Sequence, residues 1–226
     1  MADPVATAPA AMAAERRERL VEVYREAIEC ERCPLAATRT QVVFGNGNAD
    51  AELMFIGEGP GAEEDRQGLP FVGRAGQLLD ELLSGIGLAR ADVFVANVIK
   101  CRPPGNRDPQ PAEIEACHPY LMSQIALIEP RVVATLGNFA TKLITGSRAG
   151  ITRVRGTPQV HEIAGRTVFV MPVLHPAAAL RTPSLVATLR DDFASLAALL
   201  HQEPPRSATP GALAAEPEPD QLGLFG

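Results

Sequence analysis

Four short apolar runs constrain this chain most: Leu53 to Ile56, Val93 to Ile99, Val132 to Leu136 and Thr167 to Val173. Helical segments separate them. Residues 74–86 place Leu78, Leu79, Leu82, Leu83 and Ile86 on one side. A second helix starts near Pro111, a favoured first helical position, and runs to about Ile128. A third follows Gly137, and Ser184 is placed to cap a last one ending near Leu200. Ahead of them all, residues 15–29 align Leu20, Val23, Tyr24, Ala27 and Ile28 in a stripe. Residues 152–163 read as a small hairpin. Apolar strands alternating with helices imply a mainly parallel four-stranded sheet covered on both faces, an α/β chain.

The 226 residues suit one domain with tails. Apolar residues make up 46% and charged residues 21%, a globular composition. The Ala/Pro-rich stretch 1–14 reads as an unstructured tail, 15–203 as the folded domain, and 204–219 as a flexible Pro/Ala/Glu-rich linker before 220–226. A net charge of -6 excludes a uniformly basic nucleic-acid coat, though not a local basic groove. No apolar run approaches the roughly 20 residues of a membrane helix. The Ala-rich start carries Asp3 and has no basic segment ahead of an apolar block, so a cytoplasmic protein is expected.

In open parallel sheets, ligands bind beyond the carboxyl ends of the strands. Three segments fall there: the loop Gly57-Glu58-Gly59-Pro60-Gly61, the stretch Asn97 to Asn106, and His175. Gly57-x-Gly59-x-x-Ala62 fits a relaxed dinucleotide fingerprint. That use is rejected: Pro60 removes an N–H donor, and Glu58, Glu63, Glu64 and Asp65 repel a pyrophosphate. No helix is expected to open at the loop. What remains is a close backbone approach to a ligand beside carboxylates able to orient water, or a tight turn with a solvated acidic face. The Asn97 amide offers a donor and an acceptor to a base edge, or is a satisfied core group. Phe71 is a stacking platform or core, and His175 is catalytic or structural. Arg131, Lys142, Arg148, Arg153, Arg155 and Arg166, with Lys100, Arg102 and Arg107, line a phosphate groove or are ordinary surface charge.

The cysteines number four: Cys30 and Cys33 as C-x2-C, then Cys101 and Cys117. That is too few for a disulfide scaffold. A thioredoxin-like pair explains only Cys30 and Cys33, and a zinc ribbon normally shows a second close pair. Four separate thiols or an iron–sulfur site remain, with iron–sulfur ahead of zinc.

Taken together, GEGPGAEEDRQGLPFVGRAGQLL (57–79), NVIKCRPPGNRDP (97–109) and LHPAAALR (174–181) resemble the motifs of family-4 uracil-DNA glycosylases, the thermostable iron–sulfur type. The resemblance spans about residues 20–200. It implies a three-layer α/β/α sandwich and a [4Fe–4S] cluster on Cys30, Cys33, Cys101 and Cys117. It implies a repair hydrolase that flips uracil out of DNA and cuts its N-glycosidic bond. The uracil pocket carries over onto Gly59, Glu64, Phe71, Asn97 and His175, with Glu58 and Asn106 at further motif positions. On this reading Phe71 stacks on the base, Asn97 reads its edge, Glu64 fills the space beside C5 and His175 stabilises the departing anion. Glu58, Glu64 or Asn106 places the water. Leu180 or Arg181 wedges into the DNA. The loop after Cys101 has no histidine, unlike a related group that traps uracil-DNA covalently. A monomer is expected.

Gln221, Leu222, Leu224 and Phe225 resemble the peptide that binds the bacterial sliding clamp. The linker before it gives a reach of roughly 20–25 Å. Two other classes stay open: a non-cutting reader of uracil-containing DNA, and an iron–sulfur redox or sensor protein.

Overall fold

The run after Ala51 becomes strand β2 (Leu53–Gly57), buried along its whole length because strands flank it on both edges. The computed structural model describes residues 4–203; the linker 204–219 and the peptide 220–226 lie outside the described residues. The sheet has six strands in the order β1-β3-β2-β4-β6-β5. Its parallel centre is β3 (Phe94–Asn97), β2, β4 (Val132–Leu136) and β6 (Arg166–Val173), the four runs read from sequence. Two antiparallel edges were not among them: β1 (Asn46–Gly47) beside β3 and β5 (Gln159–Ile163) beside β6.

Alternation divides the core. Met54, Ile56, Ala96, Val133 and Val170 face one apolar layer, covered by α1 (Pro4–Ile28) and α4 (Pro111–Ile128). Leu53, Phe55, Val95, Ala134 and Met171 face the other, under α3 (Arg74–Gly85) and α8 (Leu185–Leu199). Helices on both faces of a mostly parallel sheet make the three-layer α/β/α sandwich.

Four local expectations need correction. The hairpin over 152–163 does not form; α6 (Ile151–Val154) occupies its start, and β5 pairs with β6 around Ala164-Gly165. Both turn residues have positive φ, which fits a two-residue hairpin turn, and Ala164 is an unusual occupant of it. A short helix, α2 (Ala62–Gln67), does open at the glycine loop. Its first turn holds Glu63, Glu64 and Asp65, so it still rejects a pyrophosphate. Ser184 is itself helical and its hydroxyl caps nothing; the carbonyls of Thr182 and Pro183 accept from the first amides instead. Finally, α1 begins at Pro4 and takes in residues assigned to the N-terminal tail. Alanine is the best helix former, and a helix nucleated over 15–28 propagates into an Ala-rich stretch.

Candidate active site

The chain leaves β2 for β3 on one side and reaches β4 on the other. The loops beyond these carboxyl ends diverge and leave a crevice, the place where such sheets bind ligands. The crevice is a pocket of about 940 Å³. Glu58, Gly59 and Glu64 enter it from the β2 loop, Asn97 from the end of β3, Asn106 from the following loop, and His175 from the end of β6. Phe71 and Arg181 complete the set, so eight of the residues read as site residues from sequence share one wall or mouth.

Asn97 is 2% exposed, and no described residue hydrogen-bonds its side-chain amide. The amide faces the pocket without a protein partner, free to bond what the pocket receives. Gly57 stands opposite it in the parallel register. A Cβ on Gly57 would collide with Asn97 Oδ1 and come 3.0 Å from Phe71 Cε2 and Cζ, so glycine is required for both side chains to face the pocket.

Phe71 has φ of 55°, a left-handed conformation that a bulky residue rarely adopts. Its carbonyl oxygen sits where a Cβ on Gly76 would lie, so the first turn of α3 pins this conformation only with glycine there. The ring is thereby stacked on the His175 imidazole, with centroids 5.4 Å apart at 26°.

His175 is the N-cap of a helix not anticipated from sequence, α7 (Pro176–Arg181), and Nδ1 accepts from the Ala177 amide at 3.1 Å. A backbone N–H can only donate, so in the neutral ring the proton resides on Nε2. Burial pushes the imidazole down to about 4, and the Arg181 charge adds to this. Solvent reaches the ring only in part, through the pocket. The site thus holds a neutral histidine that donates from Nε2.

The Glu58 carboxyl is raised, first by burial and then by the Asp108 charge. Glu64 packs its Oε2 against Gly61. Asn106 also has positive φ, and its Oδ1 accepts from Arg102 Nε at 2.7 Å. Its acceptor is therefore engaged.

Leu180 does not reach the pocket; it packs against the apolar layer under α3 and α8, and Arg181 alone of that pair lines the mouth. The expected basic groove also shrinks. Arg131 is tied to Glu52 and Glu203, Arg155 to Asp192, and Arg166 to Glu129. Lys142 on α5 (Asn138–Thr145) does line the pocket, as does Arg107, which holds Glu113 through both oxygens at 2.9 and 2.6 Å. Sequence reasoning did not single out Asp108, Asn138 or Phe139. Asn138 and Phe139 directly follow Gly137 beyond β4, so the strand-end rule could have found them.

The four cysteines line a second, small cavity between the end of α1, the loop after β3 and α4. Arg39 ties these parts: Nη1 donates to the Cys30 carbonyl at 2.6 Å and lies 3.7 Å from Cys101 Sγ. The Lys100 amide donates to Cys117 Sγ at 3.2 Å. Burial pushes the Cys101 thiol up to about 11 against the pull of Arg39, and raises Cys117 as well. Among the described residues, no group of three or more Cys, His, Asp or Glu is drawn into metal-ligating geometry. The donor set nevertheless fits a thiolate-ligated group, with N–H donors already directed at two of the sulfurs.

A crevice lined by a stacking ring, an amide without a partner among the described residues and a neutral imidazole has the shape and chemistry to receive a planar heterocycle by its edge and its face. Residues 44–200 match the Uracil DNA glycosylase superfamily, and the chain belongs to that family. A type-4 uracil-DNA glycosylase of Archaeoglobus fulgidus is 44% identical, covering 83% of this chain and 96% of the relative. Those of Sulfurisphaera tokodaii and Thermotoga maritima are 46% and 48% identical, covering 77% and 74% of this chain and 81% and 87% of the relatives.

Proposed function

We propose that this chain flips uracil out of DNA into the pocket and hydrolyses its N-glycosidic bond, leaving an abasic site in DNA repair. The Asn97 amide, facing the pocket with no partner among the described residues, carries the reading. Its oxygen accepts from uracil N3–H and its NH2 donates to O4; cytosine presents the reverse pattern and would strand buried groups. Flipping is required because a stacked base cannot reach such a pocket. Phe71 supplies the face, and Glu64 occupies the space beside C5, where thymine carries a methyl.

As the bond between uracil N1 and the sugar C1′ breaks, its electron pair leaves with the base. His175 donates from Nε2 to O2 and stabilises that anion without giving up its proton. Water adds to C1′, losing its proton to a carboxylate. We assign this role to Glu58, since the acceptor of Asn106 is held by Arg102. Arg181 at the mouth contacts the DNA backbone.

Cys30, Cys33, Cys101 and Cys117 would hold a [4Fe–4S] cluster, which when bound cross-links the end of α1 to the loop after β3 and to α4; the hydrolysis itself needs no electron transfer. Gln221, Leu222, Leu224 and Phe225 would tether the enzyme to the replication clamp and raise its local concentration on new DNA. Deleting 220–226 should then abolish clamp binding and spare activity on a short oligonucleotide. A cytoplasmic, reducing compartment suits the thiols.

The deciding experiment measures free uracil released from a single-uracil, single-stranded oligonucleotide by anaerobically purified protein. Multiple turnovers with an abasic product are expected, and Asn97→Ala should slow them by about two orders of magnitude. Binding without release, with iron present, would make the chain a reader of uracil rather than a hydrolase.

A further inference from the structure

Lys100 is 1% exposed, among the most deeply buried side chains in the molecule. Its Nζ donates to the Asn97 carbonyl at 2.8 Å and to Gln124 Oε1 at 2.5 Å. Gln124 is fixed in turn, donating from Nε2 to the Phe44 carbonyl at 2.8 Å. The Phe44 ring lies 5.9 Å from Nζ. Among the described residues, no carboxylate pairs with this ammonium. Of the other buried charges, Glu113 and Asp192 each have an arginine, and Asp65 accepts from the Thr40 amide.

A buried ammonium whose hydrogen bonds all go to neutral acceptors is costly even with the Cys117 sulfur nearby, and an apolar side chain of similar length would fill the same space more cheaply. Support of the core therefore does not account for a lysine here. Its contacts do. At one end it grips the backbone of Asn97, whose side chain has no hydrogen-bond partner among the described residues. At the other, its own amide donates to Cys117 Sγ. One residue thus touches both the base pocket and the cysteine cavity.

We propose that Lys100 is a positioning residue for uracil excision, acting through Asn97: its ammonium fixes the Asn97 backbone so that the amide presents its oxygen and its NH2 in the register uracil requires. The inference rests on the proposed function, so wild-type uracil release is measured first; its absence would overturn that function and this inference with it. Lys100 meets the base only through Asn97, so its loss should act on the chemical step rather than on DNA binding.

The test is a double-mutant cycle with single-turnover kinetics on uracil-containing oligonucleotide, using the full chain. Lys100→Met keeps length and volume, and iron content and melting temperature are recorded beside the rates. The expected result is a 10- to 100-fold slower maximal rate, a half-saturating DNA concentration within twofold of wild type, and unchanged iron. Lys100→Met combined with Asn97→Ala should be no slower than Asn97→Ala alone. Should Lys100→Met fail to fold, Gln124→Glu replaces it, because a new carboxylate gives the charge a partner and draws Nζ from the Asn97 carbonyl. That variant should show a smaller loss, again not additive with Asn97→Ala. Additive losses, a change confined to half-saturation, or a rate loss that tracks lost iron would each overturn the proposal.

Discussion

The Phe71 ring lies against the His175 imidazole at 5.4 Å, and both face the pocket that Asn97 closes. The stack and the Ala177 amide fix the imidazole on two sides, leaving Nε2–H as its one outward group. Because burial lowers the ring to about 4, uracil excision should show no ionisation from His175 near 6.5. A pH profile of single-turnover rates should run without a histidine step between about pH 6 and 8. Stability should respond differently. The unfolded chain binds a proton near 6.5 that the folded ring refuses until about 4. The contribution is fully present above 6.5 and is lost as pH falls towards 4. Denaturant titrations across this window should show less loss for His175→Gln than for wild type.

The acid limb of activity belongs to Glu58. Its carboxyl is raised by burial and, secondarily, by Asp108. If the carboxylate form accepts the proton of water, activity falls as pH drops through its ionisation. Asp108→Asn removes the secondary contribution only. The limb should then move to lower pH by a fraction of a unit, with the neutral-pH rate within a few-fold of wild type. Glu58→Gln should lose about two to four orders of magnitude and the limb with it.

Gly57→Ala tests how closely the pocket is built. The added methyl meets Asn97 Oδ1 and the edge of Phe71, so the amide must turn away and the packed ring must shift. Overpacking of this kind costs about 1–3 kcal/mol. The variant should fold with a lowered melting temperature and lose at least tenfold in excision rate. Free uracil should also protect it less than wild type in thermal melts.

The sheet was legible because β2, β3, β4 and β6 are apolar runs with turns at their ends. Their order placed the glycine loop, Asn97 and His175 at one edge of the molecule before any contact was known. Asn138 and Phe139 were within reach of the same strand-end rule, but the other features missed lacked a local signal. β1 is two exposed residues, Asn46 and Gly47, held only by pairing with Phe94 and Val95. The hairpin was misplaced because its turn is Ala164-Gly165, and alanine does not advertise positive φ. The conformation of Phe71 likewise depends on Gly76 in a neighbouring element. Pairing of arginines with Glu52, Asp192 and Glu129 is long-range, so composition overstated the basic groove.

Leu180 and Arg181, equivalent candidates for the DNA wedge by sequence, separate on α7. Leu180 packs against the layer under α3 and α8, while Arg181 is exposed at the mouth of the pocket and lowers the His175 imidazole from there. Truncating them should therefore fail in different assays. Leu180→Ala removes partly buried apolar surface and should cost about 1–2 kcal/mol of stability, with near-normal single-turnover rates at a temperature where it is folded. Arg181→Ala should leave melting within a degree or two and weaken DNA binding at every sequence tested. The slope of log binding constant against log salt should fall by about one. Its His175 imidazole should also titrate slightly higher, since a neighbouring positive charge is gone. The reverse pattern, with Leu180→Ala impairing DNA binding and Arg181→Ala only stability, would mean that α7 reorganises when DNA arrives and that the packed leucine is the group that enters the stack.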